Sequence, residues 1–101
     1  MQYLIKNTWI CERGKSPKAM EGFKAVASSY RAQGLPCRLY VDISGTMDTV
    51  VMEIEVGSLD GYFTMQRQFY AEMDNPTKEL IGSVNDNTDS GNRVIYEIVE
   101  F

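Results

Sequence analysis

Hydrophobic and polar positions alternate with a period of two over residues 37–43 (CRLYVDI) and again over 49–56 (TVVMEIEV). In the first run Cys37, Leu39, Val41 and Ile43 share one face, and Arg38, Tyr40 and Asp42 the other. In the second, Val50, Met52, Ile54 and Val56 oppose Val51, Glu53 and Glu55. This is the pattern of strands with one buried face, and Ser44-Gly45-Thr46-Met47-Asp48 between them predicts a hairpin connection. Residues 2–12 (QYLIKNTWICE) also read as strand but carry apolar residues on both sides. Tyr3, Ile5, Asn7, Trp9 and Cys11 share one side, Leu4, Lys6, Thr8 and Ile10 the other, as in a central strand covered on both faces. Residues 93–101 (RVIYEIVEF) predict the last strand.

Between the strands the period changes to that of a helix. Ala19, Phe23, Val26, Ala27 and Tyr30 form a single apolar stripe. Ser16 is placed as its N-cap, Pro17 as its first residue, and Gly34 as a left-handed end that Pro36 makes final. A second helix starts at Ser58 with Asp60 in its first turn, and Leu59, Tyr62, Phe63, Gln66, Phe69, Tyr70 and Met73 fall on or near one side. Asp74-Asn75-Pro76 breaks it, residues 77–84 predict a short helix weakened by Gly82, and residues 85–92 (NDNTDSGN) read as a polar loop.

The order strand–helix–hairpin–helix–strand predicts a ferredoxin-like α+β fold, βαββαβ, as one domain over residues 1–101. Right-handed crossovers put both helices on one face of an antiparallel sheet of order 4-1-3-2. The stripe Leu39, Val41, Ile43, Val50, Met52, Ile54 and Val56 is the natural helix-facing set. The opposite face then holds Arg38, Tyr40, Asp42, Val51, Glu53 and Glu55, and Ile5, Asn7 and Trp9 are placed with them because a central Trp beside Tyr40 needs cover. A face that mixes Trp, Tyr and Val with charges suits a sheet-to-sheet homodimer with a small cavity, the alternative being a monomer whose open face is wet.

Composition narrows the function classes. At 44% hydrophobic residues the chain can build a core without metals or disulfides. Its net charge is −4, from 14 acidic and 10 basic residues without a basic run, which argues against nucleic acid and anionic membranes as partners. There is no signal-peptide pattern and no apolar run of the roughly 20 residues that a membrane span needs, so a cytoplasmic location is expected. Cys11 and Cys37 fall on strands two places apart, about 9.5 Å, too far for a disulfide, whose Cα atoms lie within about 7 Å. The absence of histidine removes the commonest metal ligand and general base, and no metal is expected.

Three groups carry candidate chemistry. Asn7 and Trp9 can project together into a partly closed cavity, the amide holding an oxygen and the indole stacking on a ring; equally, Trp9 can be an interface anchor. Arg38, Asp42, Glu53 and Glu55 can tune one another's pKa values, or form an ordinary ion-pair network. Tyr62, Phe63, Phe69, Tyr70 and Met73 can line an apolar pocket, or be core.

Nearly the whole chain resembles the dimeric α+β barrel superfamily and, within it, small NIPSNAP-like proteins. The resemblance rests on Glu12-Arg13-Gly14-Lys15 after the first strand, the helix running into Gly34-Leu35-Pro36, and the strand Thr49–Val56 followed by Ser58-Leu59. It rests also on Asn75-Pro76 before a short helix and on Arg93-Val94-Ile95-Tyr96 opening the last strand. These are turn, cap and pattern matches; none is a catalytic signature. The resemblance implies two subunits packed sheet to sheet, each with a pocket between the sheet and the helices or loops. It includes cofactor-free monooxygenases, some with a polar Asn and a Trp in the pocket, parts that Asn7 and Trp9 can take. Haem-degrading members need an axial histidine, which this chain lacks.

The expectation is a homodimeric α+β barrel, without cofactor, that binds a small apolar or aromatic molecule. Its ligand-pocket candidates are Asn7, Trp9, Tyr40 and Glu53. One alternative is a cofactor-independent monooxygenase acting on an electron-rich aromatic substrate, with Tyr40 or Glu53 as proton acceptor. Another is a structural dimer with no ligand.

Overall fold

The alternating segments pair with one another. In the computed structural model, which describes residues 1–101, the order is β1 (Gln2–Cys11), α1 (Ser16–Ala32), β2 (Cys37–Val41), β3 (Thr49–Val56), α2 (Leu59–Glu72), α3 (Asn75–Asp86) and β4 (Thr88–Ile98). The sheet has the expected order, β2-β3-β1-β4, and every pair in it is antiparallel. Val50, Met52, Ile54 and Val56 are buried under the helices together with Phe23, Ala27 and Tyr30 of α1. No helix is long and apolar enough to cross a membrane.

The face of β1 is the opposite of the one expected. Ile5, Asn7 and Trp9 pair in register with Ile54, Met52 and Val50, and so point at the helices. Lys6 and Thr8 take the open face. Packing explains the choice. Trp9 lies against Phe23 at 4.8 Å between ring centroids, and it covers Gly91 on β4, where a Cβ would meet its ring at 3.0 Å. The indole needed cover and found it on α1, while Lys6 kept its ammonium toward water.

The end of α1 follows the expected rule. Gly34 has φ +81°, its N–H donates to the Arg31 carbonyl, and the Leu35 N–H reaches back to the Tyr30 carbonyl. This is the left-handed Schellman end that glycine allows. The start does not follow it. Lys15 holds the cap position, and Ser16 is the first helical residue. The acceptor comes instead from Asp48, in the β2–β3 connection. Its carboxylate accepts the Gly14 N–H at 2.8 Å and the Ser16 hydroxyl at 2.7 Å. Asp48 itself has φ +58°, a conformation that Asp tolerates better than most residues.

The Gly14 N–H, followed by the Ser16 hydroxyl, holds the Asp48 carboxyl below the usual carboxylate range. A depressed folded value stabilises the fold above the unfolded pKa near ~4, and that contribution is lost as pH falls through the folded value. Asp48→Asn is therefore expected to melt lower than the wild type at neutral pH and to converge with it as the medium is acidified. Ser16→Ala should cost about 1 kcal/mol. Thermal denaturation across pH checks both.

Two further expectations change. Residues 85–92 are not a loop: α3 runs through Asp86, and β4 begins at Thr88 and continues to Ile98. Thr88, Ser90, Gly91 and Asn92 all pair with β1. An edge strand whose backbone is satisfied on one side tolerates a polar sequence that would read as a loop alone. Likewise β2 stops at Val41, which leaves Ile43 98% exposed outside the core where the alternation placed it. Asp42 folds back there to accept the Ser44 and Gly45 N–H groups.

The result is a slab of 40 × 35 × 18 Å, one sheet thick and one helix layer thick. Its accessible surface is 6564 Å², against about 5,800 Å² for a typical folded monomer of this mass. The excess reflects a sheet with one bare face. Leu4, Thr8, Tyr40, Val51, Val94 and Tyr96 lie on it, around a row formed by Arg38, Glu53 and Lys6 on neighbouring strands.

Candidate functional site

Beneath α2 the helix-side face of the sheet becomes polar. Asn7, at the middle of β1, is 7% exposed and pairs in register with Met52 on one side and Arg93 on the other. The Arg93 Nε–H donates to Asn7 Oδ1 at 3.0 Å, which orients the amide. The guanidinium then lies over two rings of α2, 5.5 Å from the centroid of Phe63 and 5.8 Å from that of Tyr62. Stacking of this kind suits Arg, whose planar, weakly hydrated cation covers an aromatic face.

The helix stripe explains how α2 presents these rings. Ser58 caps it, its hydroxyl accepting the Gly61 N–H at 3.0 Å, and Tyr62 and Phe63 follow one turn later. Tyr62 is the one fully buried residue of α2. Its ring stacks on Tyr30 at 5.9 Å and meets Phe63 edge-on at 5.1 Å. The Tyr62 hydroxyl, on a residue only 1% exposed, makes no well-formed hydrogen bond, the neighbouring Tyr30 phenol being its nearest candidate. A buried phenol without a partner costs on the order of 1–3 kcal/mol.

Burial pushes the Tyr30 phenol up, the neighbouring Tyr62 adds to the rise, and Arg93 opposes it. Burial also raises Tyr70, again with Arg93 opposing. At neutral pH both of these phenols are protonated. The cluster thus offers hydrogen-bond donors beside a fixed cation, and it suits an oxygen-bearing acceptor carried on a flat apolar body.

The four expected pocket residues are divided between the two faces of the sheet. Asn7 and Trp9 stand on the helix side; Tyr40 and Glu53 lie on the open side, around a shallow depression of about 300 Å³ that Leu4, Arg38 and Glu55 share. The sheet separates the two pairs, so no single pocket unites them. Asp42 is engaged by Ser44 and Gly45, away from Glu53, and no ion pair joins Arg38 to the carboxylates. Of the aromatic group, Tyr62 is core and Phe63 is half-buried beneath Arg93, whereas Tyr70 is 43% exposed. Nothing in the sequence marks Arg93 or Tyr30 as a site residue: Arg93 reads as the opening of a strand and Tyr30 as part of a helix stripe, and the pairing of Arg93 with Asn7 joins residues 86 positions apart.

Cys11 and Cys37 are both free and buried, and burial raises both thiols. They are protonated at neutral pH and behave as small apolar side chains.

No protein-family model matches the chain, and no curated protein matches it by sequence. Solved structures do match by fold. A NIPSNAP family protein from Agrobacterium tumefaciens superposes with a TM-score of 0.82 at 17% identity, covering 100% of this chain and 96% of that one. An uncharacterised NIPSNAP domain protein from Burkholderia xenovorans gives 0.77 at 15% identity, with coverage of 98% and 96%. SnoaB, a cofactor-independent oxygenase from Streptomyces nogalater, gives 0.70 at 8% identity, with coverage of 99% and 95%. The chain has the ferredoxin-like α+β fold that these proteins share. At such identities the likeness establishes the fold.

Proposed function

We propose that the protein works as a homodimer, sheet against sheet, and that each subunit binds a small apolar or aromatic molecule bearing an oxygen acceptor between its sheet and its helices. The buried Tyr62 hydroxyl, without a well-formed hydrogen bond and beside Arg93 and Asn7, carries this reading. Native interiors rarely leave such a group without a partner. The bare sheet face, with Leu4, Tyr40, Val51, Val94 and Tyr96 around its charged row, and the excess surface of the slab support the dimer.

Binding is favoured over turnover by the protonation of the cluster. Neutral phenols and a guanidinium donate hydrogen bonds, and neither takes a proton from a substrate at neutral pH. The enzymatic alternative draws on the likeness to the oxygenase SnoaB. It predicts oxygen uptake with an electron-rich phenol such as naphthol, and an oxygen electrode decides the matter.

Tyr62→Phe tests the site. Removing an unsatisfied hydroxyl should raise the melting temperature of the free protein, by about 1 kcal/mol of stability. Naphthol is expected to raise the melting temperature of the wild type, and the substitution should abolish that shift. A variant that melts lower has lost a hydroxyl with a structural partner. One that responds to naphthol as the wild type does shows that the hydroxyl binds nothing. Either result ends the proposal.

A further inference from the structure

We propose that the groove along the flank of α2 that faces α1 is a second binding site, and that it takes a long aliphatic polyamine. A groove of about 680 Å³ runs there between α2, the C-terminal turn of α1 and the first turn of α3. Its volume lies in the range of sites that hold small molecules. Asp60, Thr64, Gln68 and Glu72 line it at successive intervals of four residues, so it follows α2 from end to end.

The charge in the groove is of one sign. Asp60 stands at one end, Glu72 and Asp74 at the other, and no Lys or Arg lines the space between. Asp74 accepts the Thr77 N–H through Oδ1 at 2.8 Å as the cap of α3, and hydrogen bonding to Thr77 holds its carboxyl below the usual carboxylate range, so it stays charged at the groove's end. Between the two acidic ends the lining is uncharged, with Tyr30, Met65 and Phe69 among it. Carboxylates at both ends call for a cation at both ends. A floor of rings and thioethers calls for methylene chains between them, with any internal ammonium over a ring face. The Asp60–Glu72 separation along the helix is about 18 Å, at 1.5 Å per residue. That span fits a long tetraamine and exceeds a short diamine. The groove adjoins the Tyr62 cluster and shares Tyr30 with it, but the acidic ends that carry this proposal take no part in that reading.

Calorimetric titration of the full chain with spermine at low salt tests this. One spermine per chain is expected, with affinity falling as salt screens the ion pairs. Putrescine, which reaches only one end, should bind about tenfold more weakly. Asp60→Asn and Glu72→Gln should each weaken spermine about threefold. Glu100→Gln, an exposed carboxylate outside the groove, should change nothing. Glu72→Gln removes a negative charge from the C-terminal end of α2, which favours the helix, so its lost affinity cannot come from unfolding. The proposal is overturned if spermine gives no saturable heat at millimolar concentration. It is overturned as well if putrescine binds as tightly, or if both groove variants behave like Glu100→Gln.

Discussion

Gly22→Ala is expected to destabilise the protein by about 1–3 kcal/mol, although the same change in an ordinary helix interior stabilises by up to about 1 kcal/mol. Gly22 lies mid-way along α1 and is buried where α3 crosses it. A Cβ there would stand 2.5 Å from the Leu80 carbonyl oxygen and would also run into the Val84 side chain. The carbonyl belongs to backbone and cannot rotate away, so α3 must shift as a body. That shift would also disturb the buried Ile81 and Val84. Gly82→Ala is the internal control. Gly82 is helical too, but a Cβ there meets nothing within 4 Å, so its replacement should stabilise α3 by about 1 kcal/mol. Urea denaturation of the two variants should therefore move the midpoint in opposite directions. A Gly22→Ala protein as stable as the wild type would show that the two helices are not in close contact.

Tyr96→Glu is expected to dissociate the proposed dimer, raising its dissociation constant by more than about a hundredfold. Tyr96 pairs in register with Leu4 on β1, stands on the open face and is 49% exposed in the single subunit. Its ring is therefore free to act as an anchor against a second sheet, and little of the subunit's own core depends on it. A carboxylate at that point would be desolvated in the dimer without a partner, which is more costly than the loss of the ring alone. Glu97→Gln, one residue along and on the other face of β4, should leave assembly unchanged. Sedimentation at micromolar concentration reads the outcome. If the wild type sediments as a single 11.5 kDa particle, the sheet face is simply wet and the dimer is wrong.

The local pattern carried far because local physics was sufficient for it. The strand Thr49–Val56, the Ser58 cap, the Gly34 end and the strand order all follow from side-chain period, capping chemistry and crossover handedness. Each of these depends on residues within a few positions of one another, or on a rule that applies to every chain of the same element order.

Long-range contacts decided the rest. β1 is apolar on both sides, so period alone left its orientation open; the bulk of Phe23 and the missing side chain of Gly91 drew Trp9 beneath the helices. Asp48 reads locally as a hairpin residue, yet it caps a helix more than 30 positions earlier. Residues 88–92 lack any strand signal and become strand because β1 offers its edge. The site obeyed the same logic. Asn7, Tyr30, Tyr62 and Arg93 come from four different elements, and no spacing in the chain announces that they meet. Hydrophobic period and capping are properties of a segment; which face is covered, and which polar groups are left facing one another beneath it, is settled only when segments pack.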